Sequence, residues 1–252
     1  MQIQATDIIA TMQSMSDPQQ ARHLMRFFKT SPGQYGEGDQ FLGIKVPHIR
    51  LVVKETRHHV ALDQIAVLLH SPWHEVRLCG FLLLVEKMRV ALPKSRQAPT
   101  TGATRRQEIA HFYLRHTRCA NNWDLVDMSC PKILGNWLIY PSPDGTPPDR
   151  QILYHLAQSS NLWEQRISIV TCWMLIRANQ YDDALTISTM LLSHPHDLIH
   201  KAVGWMLREV GKRDMSALQA YLTTHVSQMH RTTLRYAIEK MSPIERKYWM
   251  TR

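Results

Sequence analysis

The 252-residue chain has no stretch approaching the roughly 18 uninterrupted apolar residues that a membrane span needs. Its beginning, MQIQATDIIATMQSMSD, lacks the basic region and apolar core of a secretory signal. There Ile3, Ile8, Ile9, Met12 and Met15 fit an amphipathic helix instead. Cysteine is scarce: the four residues Cys79, Cys119, Cys130 and Cys172 form no CxxC pair. Three of them fall inside helical patterns, where a free cysteine behaves as a small buried hydrophobe. A reduced, cytoplasmic protein is expected. No segment sustains apolar/polar alternation between turn signals, so strands are not expected. No nucleophile elbow or Ser-His-Asp ordering is present, which argues against an acyl-transfer hydrolase.

What the chain does have is positive charge and helical periodicity. Thirty Lys and Arg against 21 Asp and Glu give a net charge of +9, which points to an anionic partner, most commonly nucleic acid. Periodicity predicts helices over 3–14, 18–29, 47–59, 61–69, 73–88, 104–117, 122–139, 148–157, 160–178, 181–191, 196–212, 214–227 and 230–240. Caps or first-turn prolines open many of them: Ser16-Asp17-Pro18, Val46-Pro47, Ser71-Pro72, Ser160-Asn161 and Ser193-His194-Pro195. Short breaks between most helices imply antiparallel neighbours, the unit of an all-α solenoid. The segments 93–104 and 140–149 read as surface loops rather than linkers, so one domain over 1–252 is expected. A third segment, 30–47, carries Gly33, Gly36, Gly38 and Gly43 but no following GK[S/T]. Glu37 and Asp39 make it a poor anion cradle, and a structural turn is the better reading.

Stacking four stretches, 73–83, 121–130, 162–173 and 197–209, superposes Arg77, Asp127, Arg166 and Lys201, with Arg235 as a fifth member. The spacings of 50, 39, 35 and 34 residues tighten toward the period of two-helix repeats. Equivalent positions of stacked repeats share a face, so the row predicts a concave basic stripe interrupted by one acid, Asp127. Asp127 is either a carboxylate that does chemistry or half of a salt bridge to Arg166 or Arg77, and the two readings are compatible. Trp123 and Asp127 are one turn apart on a predicted helix, whereas Asp124 falls in its first turn and reads as a cap. Trp123 and Trp205 flank the row and suit stacking on bases or sugars, while Trp73, Trp137 and Trp173 read as core. His194, His196 and His200 form HxHxxxH, but Pro195 and the lack of a matching carboxylate argue against a metal site.

Several motifs together carry a family resemblance: RFFKTSPGQYGEGDQFLGIKVPHIR (26–50), NNWDLVD (121–127), WEQRISIV (163–170), KAVGWMLREVGKRD (201–214) and RTTLRYAIEKM (231–241). In this order, over nearly the whole chain, they resemble the HEAT-like-repeat DNA alkylation repair family, the AlkD type of DNA glycosylase. The resemblance implies an α-solenoid of HEAT-like repeats that hydrolyses the N-glycosidic bond of N3- and N7-alkylated purines in duplex DNA. It implies no base flipping and no metal or organic cofactor. Asp127 matches the family's catalytic aspartate, Trp123 and Trp205 its lesion-contacting tryptophans, and Arg166 its essential arginine. Arg77, Lys201, Arg208 and Arg235 become DNA-contacting candidates, and Phe27 stands where the family often has a tyrosine. A non-catalytic scaffold binding DNA structures or an acidic protein is the alternative, because relatives without glycosylase activity exist.

Overall fold

Helices begin where local chemistry satisfies their first N–H groups. Asp17 accepts from the N–H groups of Gln19 (2.9 Å) and Gln20 (3.0 Å), with Pro18 pre-set at the first position. Asn161 does the same for Trp163 and Glu164. At 193–195 the expectation shifts by a residue or two: the His196 ring, not Ser193 or His194, accepts from the Leu198 N–H.

The computed structural model describes residues 2–95 and 97–252. Among these the protein is all-α, with no strand and one isolated bridge between Gln40 and Trp73. No helix among them is long and apolar enough to cross a membrane. The chain divides into two compact units that meet in sequence at Ser129 and Cys130.

The first unit holds α1 (Ala5–Ser14), α2 (Pro18–Phe27), α3 (Val46–Thr56), α4 (Leu62–Leu69), α5 (His74–Ala91), α6 (Ala103–Arg115) and α7 (Trp123–Cys130). Every residue of α5 from His74 to Leu84 is buried, and α3, α4 and α6 pack around it. A helix apolar on nearly every side is a core helix, and α5 is the axis of this unit. Arg106 is also buried, its guanidinium donating to the carbonyls of Ala91, Pro99 and Thr101. It pins the loop that follows α5.

The second unit holds a π-helical turn (Pro131–Gly135), α8 (Asn136–Ile139), α9 (Gln151–Ala157), α10 (Leu162–Arg177), α11 (Asp182–Met190), α12 (Asp197–Gly211), α13 (Met215–His225), α14 (Arg231–Ala237) and α15 (Pro243–Met250). Pro131 cannot donate a backbone hydrogen bond, so widening to a π turn is a local answer to its presence. The turn ends at Gly135, where a Cβ would lie 2.7 Å from the Met174 side chain. That contact brings the turn tightly onto α10, which α9, α11 and α12 also cover. Helix α12 lies equally close to α14: a Cβ at Gly204 would sit 2.6 Å from the Thr233 carbonyl oxygen. Within each unit, successive helices thus pack on one another, the building plan of an α-solenoid. Helix α15 was not anticipated. Its signal is a capping box, Ser242 accepting from the Glu245 N–H while Glu245 reaches back to the Ser242 N–H.

Candidate functional site

In the first unit the loop 30–47 sets the position of α7 through α5. Gly33, Gly38 and Gly43 adopt positive φ, and a Cβ at Gly43 would stand 2.1 Å from the Asp17 carbonyl oxygen. The loop's amides are used internally: Gly33 donates to the Glu37 carboxylate at 2.9 Å and Gly36 to the Lys29 carbonyl at 3.1 Å. The Glu75 carboxylate accepts from the N–H groups of Leu42, Gly43 and Ile44 at 2.8–3.1 Å. The glycines therefore serve a structural turn.

Asp39 within this loop is buried and accepts two charged donors. His74 Nδ1 donates to it at 2.8 Å and Arg77 Nη2 at 2.5 Å. The other His74 nitrogen, Nε2, donates to Asp124 on α7 at 2.9 Å. Two carboxylates on one imidazole require both nitrogens to carry protons. Burial works against that charge, but Asp124 and then Asp39 outweigh it and raise His74 to about 9. Burial likewise opposes ionisation of Asp39, yet the bond from His74 and the charge of Arg77 hold its carboxyl below the usual range. Asp124 is therefore not primarily a cap: it ties α7 to α5 through the imidazolium.

Trp123 and Asp127 of α7 reach the surface beside this network. Asp127 is half-buried, one turn after the half-buried Trp123. The Trp123 indole stacks on Phe28 (5.4 Å between centroids) and meets Phe27 edge-on (6.1 Å). Phe27 is 56% exposed and forms the outer lip. Behind these rings lies an apolar cavity of about 370 Å³, walled by Phe28, Phe41, His74, Trp123 and Asp124.

In the second unit Arg166 near the start of α10 is only 5% exposed, and its Nη1 donates to the Leu198 carbonyl at 2.5 Å. One turn into α12, Lys201 pairs with Asp197 at 2.7 Å while remaining half-exposed. Trp205, a turn later, is half-buried and lies 6.5 Å from Trp173. Arg208 is ion-paired with Glu239, and Arg235 on α14 is exposed.

The row of cations is thus not the uniform exposed stripe that the repeat alignment predicts. Arg77 is 6% exposed, and its guanidinium is taken up by Asp39, by the Asn121 amide oxygen and by the carbonyls of Ser71 and Pro72. Its expected DNA contact is corrected to an internal one. The reason is geometric: a planar five-donor group at the start of a repeat helix satisfies carbonyls that would otherwise be buried without partners. Arg166 shares the habit. Of the tryptophans expected in the core, Trp137 is buried, whereas Trp73 and Trp173 are half-buried.

The histidines of HxHxxxH do not converge. His194 Nε2 bonds the Gln165 amide oxygen, His196 accepts from the Leu198 N–H, and His200 Nε2 bonds the His194 carbonyl. Sequence reasoning missed the Asp39–His74–Asp124 chain altogether. Its three members are 35 and 50 residues apart, and the sole hint is an acid within a glycine-rich loop.

Comparison with known proteins adds a family. The model of a family described as DNA alkylation repair enzyme matches residues 8–241. Among solved structures, the chain is similar to a protein from Enterococcus faecalis described as a predicted DNA alkylation repair enzyme. The TM-score is 0.63 and the identity 16%, over 90% of this chain and 97% of that one. At that identity the likeness shows the fold. The curated proteins gave no match.

Proposed function

Because the chain belongs to the DNA alkylation repair enzyme family, we propose that it is a monofunctional DNA glycosylase. It hydrolyses the N-glycosidic bond of N3- or N7-alkylated purines in duplex DNA and does not flip the base into a pocket. The observation that carries this reading is Asp127: a half-buried carboxylate one turn from a half-buried indole, on a helix anchored from behind by a buried imidazolium.

An N3- or N7-alkylated purine already bears positive charge, so the leaving base needs little or no protonation. The remaining task is to stabilise an oxocarbenium-like sugar and admit water. A carboxylate held in place by the surrounding fold does so without reorganising as charge develops. Asp127 has that role and orients the water. Trp123 and Trp205 offer π faces to the cationic sugar or base. Arg166 contributes a buried, immobile positive charge, and Lys201, Arg208 and Arg235 meet phosphates. Phe27 supplies an apolar edge without a hydroxyl. In this reading the protein is a monomer acting in the cytoplasm with no metal or organic cofactor.

Release of free base from a duplex holding a defined 7-alkylguanine tests it, with wild type beside Asp127→Asn. Asn keeps the shape and removes the charge, so single-turnover release should fall on the order of 10²–10³-fold. DNA affinity should hold or rise, because a negative charge leaves a surface that faces phosphates. Near-wild-type excision in a destabilised Asp127→Asn would refute the catalytic role and favour a scaffold.

A further inference from the structure

Helix α10 carries an aromatic and a cation that the proposed chemistry does not use. Arg166, Trp173 and Arg177 stand at i, i+7 and i+11. At about 100° per residue these positions fall within roughly 20° of one line along a helix, spread over about 16 Å. Burial declines along this line: Arg166 is buried, Trp173 half-buried and Arg177 exposed. The Arg177 guanidinium carbon lies 5.1 Å from the Trp173 ring centroid. The Trp173 ring also lies 6.5 Å from Trp205, the two planes inclined at 41°. Guanidinium, indole and indole thus make a continuous run from α10 to α12.

The charge of Arg177 differs from its neighbours' charges. In the same unit Arg150 pairs with Asp183, Lys201 with Asp197, Arg208 with Glu239 and Lys212 with Glu209. No carboxylate stands within ion-pair distance of Arg177 among the described residues. A guanidinium stacked on an indole keeps its N–H edge available, and that edge matches the paired oxygens of a phosphate. A half-buried tryptophan beside it offers a flat apolar face of the kind that packs on deoxyribose.

We propose that Trp173 and Arg177 form a contact ledge for the DNA backbone, continuous with Trp205. Arg177 donates to a phosphate and Trp173 packs on an adjoining sugar. The ledge rests on the reading of the protein as a duplex-DNA enzyme, and it extends the contact surface along α10 beyond the residues assigned to the reaction. Duplex DNA is the occupant because it is a polyanion with phosphates at regular spacing, matched here by a net charge of +9 and a cation without an acid. The competing explanation is local. A basic residue in the last turn of α10 favours the helix dipole, and Trp173 would then only fill space.

Affinity of the full-length protein for an undamaged duplex, measured across a range of salt concentrations, separates the two. Arg177→Gln should weaken binding several-fold and reduce the log–log salt slope by about 0.9, the value of one phosphate contact. Its melting temperature should stay within about a degree of wild type. Arg177→Lys should keep most of the slope while losing part of the affinity, since a lysine ammonium lacks the planar stack. Arg89→Gln, which removes an exposed cation paired with Glu86 in the first unit, should leave slope and affinity unchanged. Wild-type slope and affinity in Arg177→Gln would overturn the ledge and leave the repair reading standing. A drop in melting temperature in both Arg177 variants that accounts for the lost binding would overturn it in favour of helix capping. Failure of the wild type itself to bind any duplex would remove the repair reading, and the ledge with it.

Discussion

The two units differ in where their best-ordered ion pairs lie. In the first, the ions that matter are inside: Asp39, His74, Asp124 and Arg77 form one buried network. In the second, most pairs lie nearer the surface, as with Lys201 and Asp197 or Lys212 and Glu209, and Arg177 is left to an indole. Buried pairs are rigid and costly to break, whereas exposed pairs contribute little to stability and exchange readily for other partners. The first unit holds α7, which bears the carboxylate proposed to be reactive, on a buried ion network, and the second holds its cations in pairs near the surface.

His74→Ala should break this comparison most severely. It leaves Asp39 and Asp124 buried without their shared donor, and losing one partner of a buried pair costs about 3–5 kcal/mol. Thermal or denaturant unfolding would show it, and an unchanged melting temperature would dissolve the contrast between the units. The same network gives a pH signature. His74 is raised from 6.5 to about 9 in the folded protein, so its contribution is complete below pH 6.5 and is lost as pH climbs through about 9. The full loss is on the order of 3 kcal/mol at 1.4 kcal/mol per unit. Melting curves between pH 6 and 10 would record the decline, and His74→Ala should flatten it.

A smaller effect is expected from charge reversal in the second unit. Lys201→Glu should leave the melting temperature nearly unchanged, since an exposed i,i+4 pair is worth at most about 1 kcal/mol. It should weaken binding to all duplex sequences alike and lower the salt slope by about 0.9. Salt-insensitive binding in the wild type would instead indicate a protein partner. The smallest effect belongs to the lip of the first unit. Phe27→Tyr adds a hydroxyl to an exposed ring, and one net hydrogen bond is worth about 1 kcal/mol, or roughly fivefold in base release. Stability should not move. A change beyond tenfold would make the missing hydroxyl a determinant of the chemistry.

Local chemistry made most helices readable before any coordinates. Asp17-Pro18 and Asn161 open α2 and α10 as their side chains dictate. The capping box at Ser242 is equally local and opens α15 in the same way. Trp123 and Asp127 sharing a face of α7 also follows from spacing alone. Burial did not follow. Arg77 and Arg166 look like surface cations in a repeat alignment, yet both are inside, because only a folded neighbour supplies the carbonyls and carboxylates that make burial of a guanidinium tolerable.

The sequence by itself determined the helical class, the basic balance and the register that sets one acid in a row of cations. Those properties depend on periodicity and composition, which every stretch of chain carries locally. Tertiary structure alone decided that Asp124 answers to His74 as well as to its own helix end, that Asp39 closes the chain of ions, and that Trp173 lies half-buried beside Trp205. Each of these joins residues at least 32 apart or turns on how neighbouring helices meet, and no local pattern encodes which partner a side chain will find once water is excluded.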